Sequence, residues 1–465
     1  MDSSSDIKKM SRRKGIRDKF TVDRGFYRTM LGMLIGVSLQ NIVAYSVNIV
    51  DNLMLGSYSQ DVLSGAATVN QIFYMVQAVA GGISSGLSVL TSQYWGAKKT
   101  DAIRILTATG LRIAIILGSL AILMCIAIPE KMLLFFTSDP AIIDPGMQYL
   151  GIIRWTFLLF LITNILMAVL RSVEVVRISF YTSLISLILN VVLNYCLIFG
   201  NLGFPELGIR GAAIGTLIGR IVELGIVLFY VLKIDKRIGF SCRDLIRFDP
   251  GLRRNYFKVG FPVVVSTVIF CISVPMQTAI LGHLTSEAIA ANSIATTFYQ
   301  YAKVIVNAMT SVSAVLIGKA VGRGDIDKIR SEANSLQIIY ILIGIVLGAL
   351  IFLVRRPLLS AYVLTDSTRL LADHLMIIMS VIMVGMAYQI PLTFGILQGA
   401  GDTHFTMAVN IGCTWLISIP LSMLAAFVWK LPVEIVVIFI QADQIWKGIP
   451  SMIRYHGNKW IRNYT

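Results

Sequence analysis

Charge is what this sequence has little of. Only 14% of its 465 residues are Asp, Glu, Lys or Arg, while 56% are hydrophobic. A soluble domain carries about 25% charged residues. The shortfall excludes soluble enzymes and nucleic-acid binders and leaves a chain whose surface mostly faces lipid. Cysteine is also sparse. Cys125, Cys196, Cys242, Cys271 and Cys413 are scattered and lack metal-ligand spacing, which suits packing residues better than disulfides or ligands. The four histidines form no HExxH or other zinc pattern, so a metal-enzyme signature is missing. Regular ten-residue alternation is absent, which argues against an outer-membrane barrel. No cleavable signal peptide is expected, because residues 1–28 are basic and polar rather than a short apolar core.

What is present is a series of long apolar runs. The length fits about twelve transmembrane helices at roughly 20 to 25 residues per span. The expected organisation is a basic cytoplasmic segment (1–28), a lobe of six spans (29–232), a cytoplasmic connection (233–256), a second lobe of six spans (257–453) and a cytoplasmic tail (454–465). The net charge of +15 follows topology. Segments after even-numbered spans carry Lys98 and Lys99, Arg171 and Arg177, the group from Lys233 to Lys258, and Lys319, Arg323 and Lys328. That bias puts both termini in the cytoplasm of a cell membrane, with Arg210, Arg355, Arg356 and Arg369 as exceptions on the other side. In the connection, SCRDLIRF is expected to form a short interfacial helix.

The two halves are related. A shift of 226 residues (84 onto 310) lays SSGLSVLTSQYWGAKKTDAIR over TSVSAVLIGKAVGRGDIDKIR without a gap. Ser85, Val89, Leu90, Gly96, Asp101, Ile103 and Arg104 meet identical residues in the second half. Six spans per half return the chain to the same side, so the repeats are parallel and are expected to enclose a central cleft.

Within this frame Asp51 stands alone. It is the one charged residue between Arg28 and Asp61. A carboxylate deep in a bilayer costs roughly 3 kcal/mol on insertion scales, so it marks a cation or proton site or a static polar knot. Asn190 and Asn194 lie one turn apart on one face of the fifth span. Amides need protein or water partners in hydrocarbon. Thr216 adds a hydroxyl, and Gly211, Gly215 and Gly219 beside it allow close helix contact. Together Asp51, Asn190, Asn194 and Thr216 are the candidate site for H⁺ or a dehydrated Na⁺. Asn48, Asn70, Phe73, Tyr74, Phe298 and Tyr299 are candidates for lining a substrate cleft. Aromatic and Met faces suit organic cations, although helix packing explains most such residues as well. Arg154, Glu223 beside Arg220, and the pair Asp443 and Lys447 have structural readings.

The chain resembles the multidrug and toxic compound extrusion (MATE) transporters, bacterial type. The resemblance rests on NIVDNLMLG, SQYWGAKK, NVVLNYCLIFG running into GFPELGIRGAAIGT, GFP at the seventh span, ILQGAGDT and RYHGNKWIRN, in that order. It implies two six-helix lobes and export of amphipathic, often cationic compounds by antiport against Na⁺ or H⁺. It implies no enzymatic activity and no cofactor, a small organic substrate, contact with membrane lipid rather than nucleic acid, and a monomer. The family's cation site maps to Asp51, Asn190, Asn194 and Thr216. Three departures stand out. Asn194 occupies a position where many members have Asp. Ser266 and Thr267 fill the region where many have Glu. The first-helix proline of some members is missing. The alternatives are a lipid-linked precursor or metabolite flippase of the same superfamily and, from another class, a membrane-embedded transferase.

Overall fold

The computed structural model describes Phe20, residues 23–282, Leu284, and residues 286–360, 364–457 and 459–465. Most of the basic segment 1–28 therefore lies outside the described residues. Among the described residues the chain is helical, with no strand. The elements are α1 (Arg24–Tyr58), α2 (Gln60–Gly96), α3 (Thr100–Ala127), the short α4 (Pro129–Leu134), α5 (Pro140–Ser172), α6 (Arg177–Phe199), α7 (Ile209–Phe229), α8 (Pro250–Gly282), α9 (Ser286–Arg323), α10 (Ile326–Ser360) and α11 (Asp366–Ile390). The chain continues through α12 (Thr403–Ile411), α13 (Ile419–Met423), α14 (Val433–Gln441), α15 (Asp443–Trp446) and α16 (Gly448–His456). π-helical turns extend α7 to Ile234 and α11 to Leu397, and another joins α12 to α13.

Ten helices among the described residues are long and apolar enough to cross a membrane, against about twelve expected from the sequence. The difference lies in the sixth and twelfth segments. The sixth, α7, has 21 residues and carries Arg220 and Glu223. The twelfth is not one helix but α14, α15 and α16 in succession. Pro450, in the first turn of α16, has no N–H to bond back across the junction.

The repeat is visible in the helix starts. Arg24 and Pro250, Gln60 and Ser286, Thr100 and Ile326, Pro140 and Asp366, and Arg177 and Thr403 all stand at the separation that the sequence shift predicts. The described residues pack as two compact units, Ile35–Ile272 and the remainder from Ser273 with the described residues before Ile35. The first has a core built on Leu55, Val69, Tyr149, Phe157 and Ile198. In the second, Met376, Met379, Met383 and Met386 recur at helical spacing on α11 and are all buried. These methionines are core packing.

The connection after α7 docks on α3. Arg104 Nε donates to the Ile238 carbonyl at 2.7 Å, and Arg247 makes two bonds to Asp101 at 2.6 and 2.8 Å. The expected interfacial helix is a shorter 3₁₀ turn, Cys242–Ile246, closed by a capping box between Ser241 and Asp244. In the second unit ILQGAGDT meets the tail. The buried Asp402 carboxylate accepts from Arg454 at 2.7 Å and pairs with Arg462 at 2.8 Å.

Two glycine features set the α6–α7 hairpin. Gly200 ends α6 at φ +69°, a left-handed conformation that favours glycine. Along α7, a Cβ on Gly211 would overlap the Leu197 carbonyl, one on Gly215 would lie 2.6 Å from Asn194 Oδ1, and one on Gly219 would meet Ser186 Oγ at an ordinary 3.4 Å. Gly211→Ala is therefore expected to destabilise the protein by about 1–3 kcal/mol, the usual scale of overpacking, whereas Gly219→Ala leaves stability nearly unchanged. Thermal unfolding of the detergent-purified variants checks the contrast.

Candidate functional site

Asp51 sits seven residues before the C-terminal end of the 35-residue α1 and is half-buried. Its partner comes from α6. Asn194 Nδ2 donates to Asp51 Oδ1 and shares a longer contact of 3.4 Å with Asn190 Oδ1. Asn190 Nδ2 in turn donates to Thr216 Oγ1 on α7 at 3.3 Å. Both amides are essentially inaccessible, at 2% for Asn190 and 0% for Asn194. The four residues that sequence spacing suggested thus form one continuous hydrogen-bonded chain across three helices. Hydrocarbon offers such groups no substitute partner.

Two neighbours escaped the sequence reading. Tyr149 on α5 is buried in the core of this unit, with its hydroxyl against Thr216 and within electrostatic reach of Asp51. Nothing in an apolar run such as GMQYLGII singles it out. Arg220 was visible only as a partner for Glu223, and that ion pair exists at 2.7 Å. The structure adds that the Arg220 guanidinium lies 5.0 Å from the Phe160 ring centroid and 6.0 Å from that of Phe73, within electrostatic reach of Asp51. Its position one turn after Thr216 was the available signal.

The proposed cleft residues fall in different settings. Asn48 is exposed on α1, one turn before Asp51, and Asn70 on α2 is half-buried. Phe73 stacks on Phe157 at 5.7 Å and meets Phe160 edge-on at 5.2 Å. Tyr74 is exposed. In the other unit Phe298 packs against the apolar core, and Tyr299 lies inside it with its hydroxyl on Met386 Sδ at 3.0 Å. Among the intramembrane ionisables, Asp443 and Lys447 form an ion pair, and Arg154 Nε is buried without a hydrogen-bond partner.

For a cation, the oxygens available are those of Asp51, Thr216 Oγ1, Asn190 Oδ1 and Asn194 Oδ1, the last of which is buried without a partner. The amide nitrogen of Asn194, rather than its oxygen, faces the carboxylate. The arrangement gives a bare carboxylate a hydrogen-bond donor. A double-mutant cycle on Asp51→Ala and Asn194→Ala is expected to give a coupling free energy of about 1.5–3 kcal/mol, the scale of a hydrogen bond to a charged group. Thermal or denaturant unfolding of the four proteins measures it, and additive effects would contradict the contact.

The family model MatE matches residues 37–196 and again 262–424, and the two matches start at positions related by the internal repeat to within one residue. The chain is 25% identical over 423 residues to the probable multidrug resistance protein NorM of Thermotoga maritima, covering 90% of each. It is 23% identical over 440 residues to the probable multidrug resistance protein YoeA of Bacillus subtilis, covering 91% of this chain and 90% of that one. Its fold superposes on the crystal structure of a mutant of the Vibrio cholerae MATE transporter VcmN with a TM-score of 0.85 at 18% identity, over 95% of this chain and 98% of that one. With both halves matched, this multi-pass, all-helical membrane protein belongs to the MatE family of transporters.

Proposed function

We propose that the protein is a secondary active exporter that exchanges amphipathic, often cationic organic compounds for protons by alternating access, in the cell membrane with both termini in the cytoplasm. The observation that carries this reading is the single carboxylate of Asp51, held by Asn194 and joined through Asn190 to Thr216. The names of the relatives, multidrug resistance proteins, support the cargo class.

The polarity of the hydrogen bonds favours a proton over Na⁺. Ionised Asp51 only accepts; protonated, it must also donate. Asn194 can serve both states. Its Nδ2 donates to the carboxylate, while its Oδ1 has no partner and can accept the carboxyl proton after the amide turns. That turn withdraws Nδ2 from Asn190 Oδ1 and so transmits the protonation state along α6 toward Thr216. One proton entering for one monovalent cation leaving is electroneutral, and each pH unit then supports about a tenfold concentration ratio, 1.4 kcal/mol.

Reconstituted proteoliposomes test the coupling. An imposed pH gradient is expected to drive uptake of ethidium by the wild type in the export direction, and an imposed Na⁺ gradient at equal pH is expected not to. Asp51→Asn keeps the shape and a hydrogen-bonding group but cannot titrate, so gradient-driven transport should fall at least about tenfold while the variant stays folded. Undiminished proton-driven export by folded Asp51→Asn would overturn the reading.

A further inference from the structure

The repeat duplicates helices but not the Asp51 site. At the same shift Asp51 falls on Gln277, Asn190 on Leu416 and Asn194 on Pro420. The second unit instead buries a different charged group. Asp443 on α15 is 1% exposed and Lys447 is 2% exposed, and the ammonium donates directly to the carboxylate. Thr414 donates to both Asp443 oxygens at 3.1 and 3.3 Å, and Ser418 donates at 3.4 Å. Thr414 and Ser418 belong to the π-helical turn between α12 and α13. A π turn is wider than the 3.6-residue α turn, so positions four apart nearly eclipse and both hydroxyls reach one carboxylate.

Asp443 thus has three donors, and a third charge is left over. Lys303, on α9 of the same unit, is half-buried and within electrostatic range of both Asp443 and Lys447. Among the described residues it makes no ion pair or hydrogen bond. Asn307, one turn further along α9 and also half-buried, makes no side-chain hydrogen bond among the described residues. The indole Nε1 of Trp415, next to Thr414, is buried without an acceptor. The group therefore carries two ammoniums against one carboxylate. A buried or half-buried cation at membrane depth ordinarily pairs or binds something.

We infer that Lys303, backed by the Asp443–Lys447 pair and flanked by Asn307, forms an oxyanion site in the second unit that takes the carboxylate, sulfonate or phosphate of an amphipathic molecule. That molecule is either cargo or an anionic lipid. The inference goes beyond the proton coupling at Asp51. It concerns equilibrium binding without any gradient, so the two readings can fail separately.

The full chain, purified in neutral detergent, tests it with dansyl-labelled undecanoate and its methyl ester, two probes that differ in one negative charge. The wild type is expected to bind the acid at least about tenfold more tightly than the ester, the scale of one charge-assisted hydrogen bond. Lys303→Gln should remove that preference by weakening the acid alone, and Lys303→Arg should retain most of it. Displacement of the acid by phosphatidylglycerol, but not by phosphatidylcholine, assigns the site to a lipid headgroup; resistance to both assigns it to cargo. Equal binding of acid and ester by the wild type overturns the inference without recourse to any variant. A loss in Lys303→Gln that is the same for both probes, or no loss at all, also overturns it.

Discussion

A carboxylate placed among apolar helices must be given its hydrogen bonds by the protein itself, and the first unit is arranged around that requirement at Asp51. The donor is Asn194, which is positioned by a second amide and a hydroxyl one helix further on. The bond from Asn190 to Thr216 requires α7 to approach α6 closely, with Gly211 and Gly215 lying against Leu197 and Asn194. The left-handed turn at Gly200 makes that approach possible. Backbone geometry and small residues therefore set the α6–α7 part of the network, to which the glycines contribute no polar group of their own.

The internal repeat shows how far architecture and chemistry can separate. Five helices of one half start at positions shifted from those of the other by a constant number of residues, yet the charges placed among apolar residues at Asp51 and Lys303 do not correspond. Gln277 stands opposite Asp51, and Gln77 opposite Lys303. Helix starts persist because they are set by apolar periodicity and loop length, which tolerate wide substitution. A buried charge needs a specific partner on another helix, so each unit must retain or lose its charge together with that partner. In one unit the surviving set centres on a carboxylate, and in the other on lysines.

The same requirement explains why ionisable residues here occur in groups. Arg220 meets Glu223 and two aromatic rings. Asp402 meets Arg454 and Arg462, which ties the tail to the loop after α11. Asp443 meets Lys447 and two hydroxyls. Such pairs cost desolvation that their attraction roughly offsets, so their contribution lies more in fixing which helix faces meet than in net stability.

The sequence by itself determined the class and the repeat, and it singled out the residues at the centre of the candidate site. Low charge and long apolar runs leave only a helical membrane protein, the shift of one half onto the other anticipates the helix starts, and the four-residue spacing of Asn190 and Asn194 already puts two amides on one face toward Asp51. These are properties of one helix or of one repeat, so periodicity exposes them. Tertiary structure decided what depends on pairs of helices. It put the amide nitrogen of Asn194 toward Asp51, brought Tyr149 and Arg220 to the site, sank Tyr299 into a core, and broke the last expected span at a buried ion pair. It also isolated Lys303, the one charged residue between Glu287 and Lys319 and the same signal that had marked Asp51. Sequence can show that a charge is costly where it stands, but only packing shows which partner it has been given.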